Sequence, residues 1–159
     1  AISFIFISSA SLKVYSEPDT SLEKLSLESF QEILQQNEGK YVIVNLWATW
    51  CGYCRLEIPE LIELSENYSD SLKVIGFNYD RDIGKVKTFI EENNITYPNY
   101  LPQENLTMHV IDKIFEKTGD NAGFPTNIIY TPEGNILEIM IGYYGEGFLT
   151  TYIESHLSE

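Results

Sequence analysis

Cysteine is scarce in this sequence: 159 residues hold only two, Cys51 and Cys54. Two cysteines do not make a disulfide-stapled scaffold, and a bridge closing so short a loop would add little stability, so chemistry is the better reason for the pair. Positive charge is scarce as well. Ten Lys and Arg stand against 24 Asp and Glu, a formal net charge of -14. Such a surface repels phosphate backbones and anionic lipid heads, which excludes nucleic-acid binding and leaves the acidity as a solvated surface. The two histidines, His109 and His156, are too few to complete a four-ligand structural zinc site with a single cysteine pair, so no metal site is expected. Internal repeats, low-complexity tracts and long linkers are also lacking.

Apolar material is plentiful by contrast: 43% of the residues are hydrophobic and 13% aromatic, enough for one substantial core and a single domain. Ala1 to Ala10 (AISFIFISSA) is apolar and has no basic residue before it. It reads either as a strand pairing with Leu12 to Ser16 in a hairpin, the reading favoured, or as the tail of a secretory segment with Ser8 and Ala10 at its cleavage site. At either reading it is too short to span a bilayer, and an anchor upstream stays open. Residues 1–25 are accordingly taken as an N-terminal extension and 26–159 as the domain proper.

Along the domain, Leu27, Phe30, Ile33 and Leu34 recur at helical spacing within Ser26 to Gln36. Ser29 with Glu32 has the spacing of a capping box, which would start that helix later. Tyr41 to Trp47 is a continuous apolar run, as expected of a central strand covered on both faces. A helix from Cys51 to about Tyr68 follows, with Pro59 expected to kink it. Leu72 to Asn78 is a second buried strand, completing a βαβ unit. Helices are then expected at Ile83 to Ile90 and Leu106 to Lys117. Strands at Asn127 to Tyr130 and Ile136 to Tyr143 are joined by the tight turn Thr131 to Asn135, and Phe148 to Leu157 is a closing helix. The order β-α-β-α-α-β-β-α after residue 40 implies an α/β domain with a mixed central sheet flanked by helices.

Chemistry concentrates where the central strand meets its helix. Cys51 falls at a helix N-terminus, where free N–H groups and the helix dipole favour its thiolate. Cys54 is three positions on, within reach of a disulfide, and in register with the apolar stripe Ile58, Leu61 and Ile62. An exposed attacker, Cys51, and a buried resolver, Cys54, are the division of labour that thiol–disulfide exchange requires. An inert pair is the plainer alternative. Glu57 lies one turn beyond Cys54 at the edge of the same stripe. Partial burial would raise its pKa and let it carry a proton, whereas a solvated carboxylate would do neither. Trp50, beside the first cysteine, either shields it or meets substrate, and Trp47 reads as core. His109, within a helix and without a Cys or Met partner, reads as a surface or satisfied histidine.

The segment Trp47-Ala-Thr-Trp-Cys-Gly-Tyr-Cys54, its continuation Arg55-Leu-Glu-Ile-Pro59, Phe77-Asn-Tyr-Asp80, Tyr97-Pro98 and Gly123-Phe-Pro-Thr-Asn127 resemble the thioredoxin superfamily. Within it they are most similar to the TlpA/ResA-like extracytoplasmic thiol–disulfide oxidoreductases, over roughly residues 26 to 157. The resemblance implies a thioredoxin fold, with Pro125 as a cis-proline facing the cysteines and the backbone of Phe124 pairing with an extended substrate segment. It also implies that Glu57 tunes the cysteines. Asn45 stands where cytoplasmic thioredoxins carry a buried Asp, which suits the extracytoplasmic group. The Gly52-Tyr53 dipeptide looks like that of periplasmic disulfide isomerases, so the direction of electron flow stays open. The peroxiredoxin pattern, Thr or Ser three positions before the reactive Cys and Pro four before that, is missing: Ala48 and Val44 occupy those places.

The expectation is therefore a thiol–disulfide oxidoreductase, in the reducing direction and of the kind that serves cytochrome c maturation. Cys51, Cys54 and Glu57 are its catalytic residues, and Trp50, Gly52, Tyr53, Phe124 and Pro125 its substrate-binding residues. It needs no bound cofactor beyond the Cys51–Cys54 redox couple. Its partners are disulfide- or dithiol-bearing proteins and an upstream thiol electron donor. Its place is outside the cytoplasm, in a bacterial periplasm or on the outer face of the membrane. The alternative is a metal-handling or redox-switched binding module on the same fold.

Overall fold

The computed structural model describes residues 17–158, so the expected N-terminal hairpin or signal remnant lies outside the described residues. Eleven elements follow in chain order: β1 (Glu23–Leu25), α1 (Leu27–Gln36), β2 (Tyr41–Trp47), α2 (Gly52–Asn67), β3 (Leu72–Asn78), α3 (Ile83–Glu92), β4 (Asn99–Pro102), α4 (Glu104–Thr118), β5 (Thr126–Tyr130), β6 (Ile136–Ile141) and α5 (Phe148–Leu157). The six strands form one mixed sheet in the order β1-β4-β3-β2-β5-β6.

Strand β2 is central because nearly every side chain on it is apolar, and the two-residue period sends them alternately to opposite faces. Val42, Val44 and Leu46 join Phe30 of α1 and Leu106, Val110 and Ile114 of α4 in one core. Ile43 and Trp47 join Ile58, Leu61 and Leu64 of α2, Val86 and Ile90 of α3, and Leu149 and Ile153 of α5 in the other. Strands β2 and β3 pair in parallel across α2, while β2–β5 and β5–β6 are antiparallel. This is the expected mixed sheet between helical layers.

The local signals explain where the elements stop. Ser26, not Ser29, caps α1: its Oγ accepts the Ser29 N–H at 3.2 Å. Helix α2 runs through Pro59, which is exposed. Strand β6 ends at Ile141 rather than Tyr143 because Gly142 takes φ 95°, a conformation only glycine holds cheaply, and its N–H donates to the Pro125 carbonyl at 2.7 Å.

Two strands were not foreseen. β4 is short and closes on Pro102, so neither an apolar run nor an alternation marks it; it is recruited by parallel pairing with β3 through Gly76↔Asn99 and Phe77↔Tyr100. β1, only Glu23–Leu25, pairs in parallel with β4. It makes part of the segment assigned to the N-terminal extension an edge strand of the sheet.

Candidate active site

The carboxyl end of β2 delivers the chain to α2 through Ala48, Thr49 and Trp50. Asp80, just past β3, braces this approach. Its carboxylate accepts the Thr49 N–H and the Thr49 hydroxyl, both at 2.7 Å, and the Asn78 amide at 3.0 Å. Arg55 Nε donates to the Thr49 carbonyl at 2.9 Å. The turn before Cys51 is thus tied to β3 on one side and to α2 on the other.

Cys51 is the N-cap of α2, in extended conformation, and its Sγ accepts the Cys54 N–H at 3.1 Å. The two cysteines are joined in a disulfide, their Cα atoms 5.3 Å apart. Both sulfur-bearing side chains pack into the core, Cys51 at 7% exposure and Cys54 at 1%. The expected contrast between an exposed and a buried cysteine is therefore small in this bridged form. Cys51 is the more accessible of the two, and its exposed neighbours Trp50 and Tyr53 carry the surface instead, at 62% and 63%.

Glu57 sits inside the protein at 4% exposure. Asn45 Nδ2 donates to its Oε2 at 3.0 Å and Asn127 Nδ2 to its Oε1 at 2.9 Å. Asn45 Nδ2 also donates to Asn127 Oδ1 at 2.8 Å. Burial pushes the Glu57 carboxyl up to about 7; the Asn127 amide holds it down, nearby Glu60 adds a further upward push, and the Asn45 amide opposes it. The solvated-carboxylate alternative is thus not what the fold provides.

Around the disulfide the aromatic side chains are paired. Trp50 meets Phe124 edge-on, ring centroids 5.6 Å apart, and Phe124 also contacts Tyr79 at 5.5 Å. Tyr53 stacks on Tyr143 at 6.1 Å. Trp50 precedes Cys51 and Phe124 precedes the buried Pro125, so the first of these contacts brings the start of β5 to the cysteine turn. The Phe124–Pro125 peptide bond is cis. Gly52 is exposed at the first position of α2 and has open space where a side chain would stand.

Sequence reasoning did not single out Asn127, Asp80 or Tyr143, and it treated Asn45 only as a departure from a pattern. A signal existed for two of them: an Asn inside the apolar runs of β2 and β5 is a buried polar group that must find a partner. No group of three or more His, Cys, Asp or Glu with the geometry to hold a metal occurs among the described residues.

A helix-capping Cys-x-x-Cys disulfide at the end of the central strand of a mixed sheet flanked by five helices, with a buried acid on the following turn, defines a thioredoxin-fold thiol–disulfide oxidoreductase. The comparisons place it further. Residues 15–139 match the AhpC/TSA family, and the chain belongs to that family. It is 32% identical over 133 residues to the thioredoxin-like protein YneN of Bacillus subtilis (strain 168), covering 79% of this chain and 69% of that one. It is also 32% identical over 129 residues to the thiol-disulfide oxidoreductase ResA of Oceanobacillus iheyensis, covering 79% of this chain and 62% of ResA. Among solved structures, a thiol:disulfide interchange protein of the thioredoxin family from Chlorobium tepidum TLS shares the fold, with a TM-score of 0.69 at 24% identity over 77% of this chain and 83% of that one.

Proposed function

We propose that the protein reduces disulfides in partner proteins, outside the cytoplasm, with Cys51 as nucleophile and Cys54 as resolving thiol. The observation that carries the reading is the Cys51 Sγ at the N-terminus of α2, accepting the Cys54 N–H. The same donor and the helix dipole stabilise a thiolate there once the bridge is opened.

In the reduced protein the Cys51 thiolate attacks a sulfur of the partner's disulfide. A Cys51–partner bond forms, the partner's own S–S bond breaks, and its second sulfur leaves as a thiolate that takes up a proton. Glu57 accepts the proton of the Cys54 thiol, and the Cys54 thiolate attacks the Cys51 sulfur. The Cys51–partner bond breaks as the intramolecular disulfide forms, and the partner's sulfur leaves as a thiolate that takes up the proton held by Glu57, so that the partner departs as a dithiol. Two electrons have passed to the partner, and an upstream thiol donor must return them. Trp50, Tyr53, Gly52, Phe124 and Pro125 form the surface that receives the partner's segment. No bound cofactor is required by this chemistry. An extracytoplasmic place is supported by the kinship with ResA and by Asn45 at the position of the cytoplasmic thioredoxins' Asp. Service to cytochrome c maturation is the substrate class this kinship suggests.

The test is trapping with Cys54→Ala together with the equilibrium potential of the wild-type pair in glutathione buffers. A stable mixed disulfide through Cys51 and a potential near about -270 mV, that of thioredoxin, support a reductant, whereas one near about -120 mV marks an oxidant. Absence of exchange in both proteins overturns the catalytic reading in favour of a redox-switched binding module.

A further inference from the structure

Strand register, rather than any one residue, creates the environment of Glu57. Asn45 on β2 and Asn127 on β5 are directly opposed Cα partners in the antiparallel pairing, so their side chains leave the same face of the sheet side by side. A slip of one residue would send the displaced amide to the far face. Helix α2 lays Glu57 across this pair, and each carboxylate oxygen meets one amide N–H. The two amides are locked to each other by the Asn45 Nδ2 to Asn127 Oδ1 bond.

The arrangement has a cost that shows what it serves. Asn45 directs its N–H groups to Glu57 and Asn127 and leaves its own Oδ1 buried without a partner. An unpaired buried acceptor is costly, and this orientation offsets the cost by supplying donors to the carboxylate. Those donors suit the ionised form. A protonated Glu57 would need an acceptor that the pair, in this orientation, does not offer.

We infer that Asn45 and Asn127 are positioning residues whose amides clamp both oxygens of Glu57 and hold it, ionisable, as the proton acceptor for the Cys54 thiol. The inference rests on the exchange reading for the thiol step and on geometry alone for the clamp. Glu57 and Cys54 are neighbours on α2, three residues apart and on the same side of the helix. The other titratable groups that face Glu57 are Glu60 on α2, Tyr97 before β4 and Tyr143 after β6. Among the described residues neither tyrosine hydroxyl is bonded to Glu57, that of Tyr97 being buried without a partner, and burial raises both, so the donors to the carboxylate are the two amides. The burial that raises the Glu57 carboxyl is opposed by the amides, so removing a donor must raise it further.

Two variants, Asn127→Leu, which keeps the branched heavy-atom shape, and Asn127→Val, which suits a strand, both without a side-chain donor, test the clamp. The first readout is the pH titration of the Glu57 side-chain carboxyl carbon by 13C NMR in the oxidised protein, which needs no exchange activity. The expected result is an upward shift of the midpoint by about one unit, a tenfold fall in the ratio of ionised to protonated carboxyl at a given pH. The second is the pH profile of mixed-disulfide resolution. It should move by the same amount in Asn127→Leu and not at all when Asn127→Leu is added to Glu57→Gln. An unmoved or lowered carboxyl midpoint overturns the clamp. A moved midpoint with an unmoved rate profile, or an equal rate shift in the Glu57→Gln background, overturns the proton-acceptor half. A wild-type protein that resolves no mixed disulfide overturns the exchange reading, while the NMR titration still decides the clamp.

Discussion

Trp47 Nε1 donates to Asn99 Oδ1 across 2.9 Å, and the two side chains together roof Gly76. A Cβ at residue 76 would overlap Asn99 Oδ1 and stand 2.9 Å from the Trp47 indole nitrogen. Gly76 is therefore where β4 comes close enough to β3 to pair, its N–H donating to the Pro98 carbonyl at 2.9 Å. Gly76→Ala should destabilise the protein by about 1–3 kcal/mol through overpacking at a fully buried contact. Asn99→Ala should cost a similar amount by leaving the indole N–H unpaired, again about 1–3 kcal/mol. The double variant should lose less than the sum, because removing Asn99 makes room for the new methyl group. Urea unfolding of the four proteins measures all three; strict additivity would show that the Asn99 side chain is not what Gly76 makes way for.

Asp80 secures the turn that leads to Cys51, through both the amide and the hydroxyl of Thr49. Asp80→Ala strips three bonds at once, the two short, charge-assisted ones from Thr49 and the one from Asn78, and is expected to cost about 2–3 kcal/mol. Asp80→Asn keeps one acceptor and should cost about half of that. The local readout is hydrogen exchange of the Thr49 amide, which should speed up far more in Asp80→Ala than that of amides in β2. Uniform acceleration across the sheet would mean that Asp80 acts on global stability and not on the turn.

The first turn of helix α5 is held by a single carboxylate oxygen. Glu60 Oε1 on α2 accepts the Thr150 N–H at 2.7 Å and the Thr150 hydroxyl at 2.9 Å, both in the first turn of α5, whose N-cap Gly147 supplies no side-chain bond. Thr150→Val removes only the hydroxyl and should cost about 1 kcal/mol, while Glu60→Ala frees both donors and should cost about 2–3 kcal/mol. Thermal unfolding of the two variants separates them; equal losses would mean that the backbone N–H finds another acceptor.

These contacts mark the boundary of what the sequence could disclose. The elements with strong periodicity or long apolar runs, β2, α2, β3 and the β5–β6 hairpin, were legible because hydrophobic pattern alone decides which face they bury. β1 and β4 were not, because their pairing depends on a partner strand and on the gap at Gly76 rather than on their own composition. The cysteine pair was legible from its place at a strand-to-helix junction. The burial of Glu57 could be foreseen only in part, since its depth depends on β5 arriving opposite β2 in the register that sets Asn127 beside Asn45. The spread of exposure between the two cysteines was overstated, because the first turn of a helix looks like surface until the aromatic side chains around it are placed.

The raised carboxyl of Glu57 also makes stability depend on pH, with a sign that can be worked out. In the unfolded chain the group ionises near the ordinary 4.5, and in the folded protein near about 7. Between those values the unfolded state has released its proton while the folded state still holds one, so raising the pH favours unfolding. Relative to Glu57→Gln, whose side chain does not titrate, the stabilisation associated with the proton is fully present below pH 4.5, falls through the window and is gone above 7. At about 1.4 kcal/mol per unit, the difference between the two proteins should change by about 3 kcal/mol across the window. Other carboxylates contribute nearly equally to both proteins and cancel in the comparison. Urea unfolding of the oxidised proteins at half-unit steps of pH gives the difference directly. A flat difference would mean that Glu57 ionises in the folded protein as it does in water, the amide donors then offsetting the whole effect of burial.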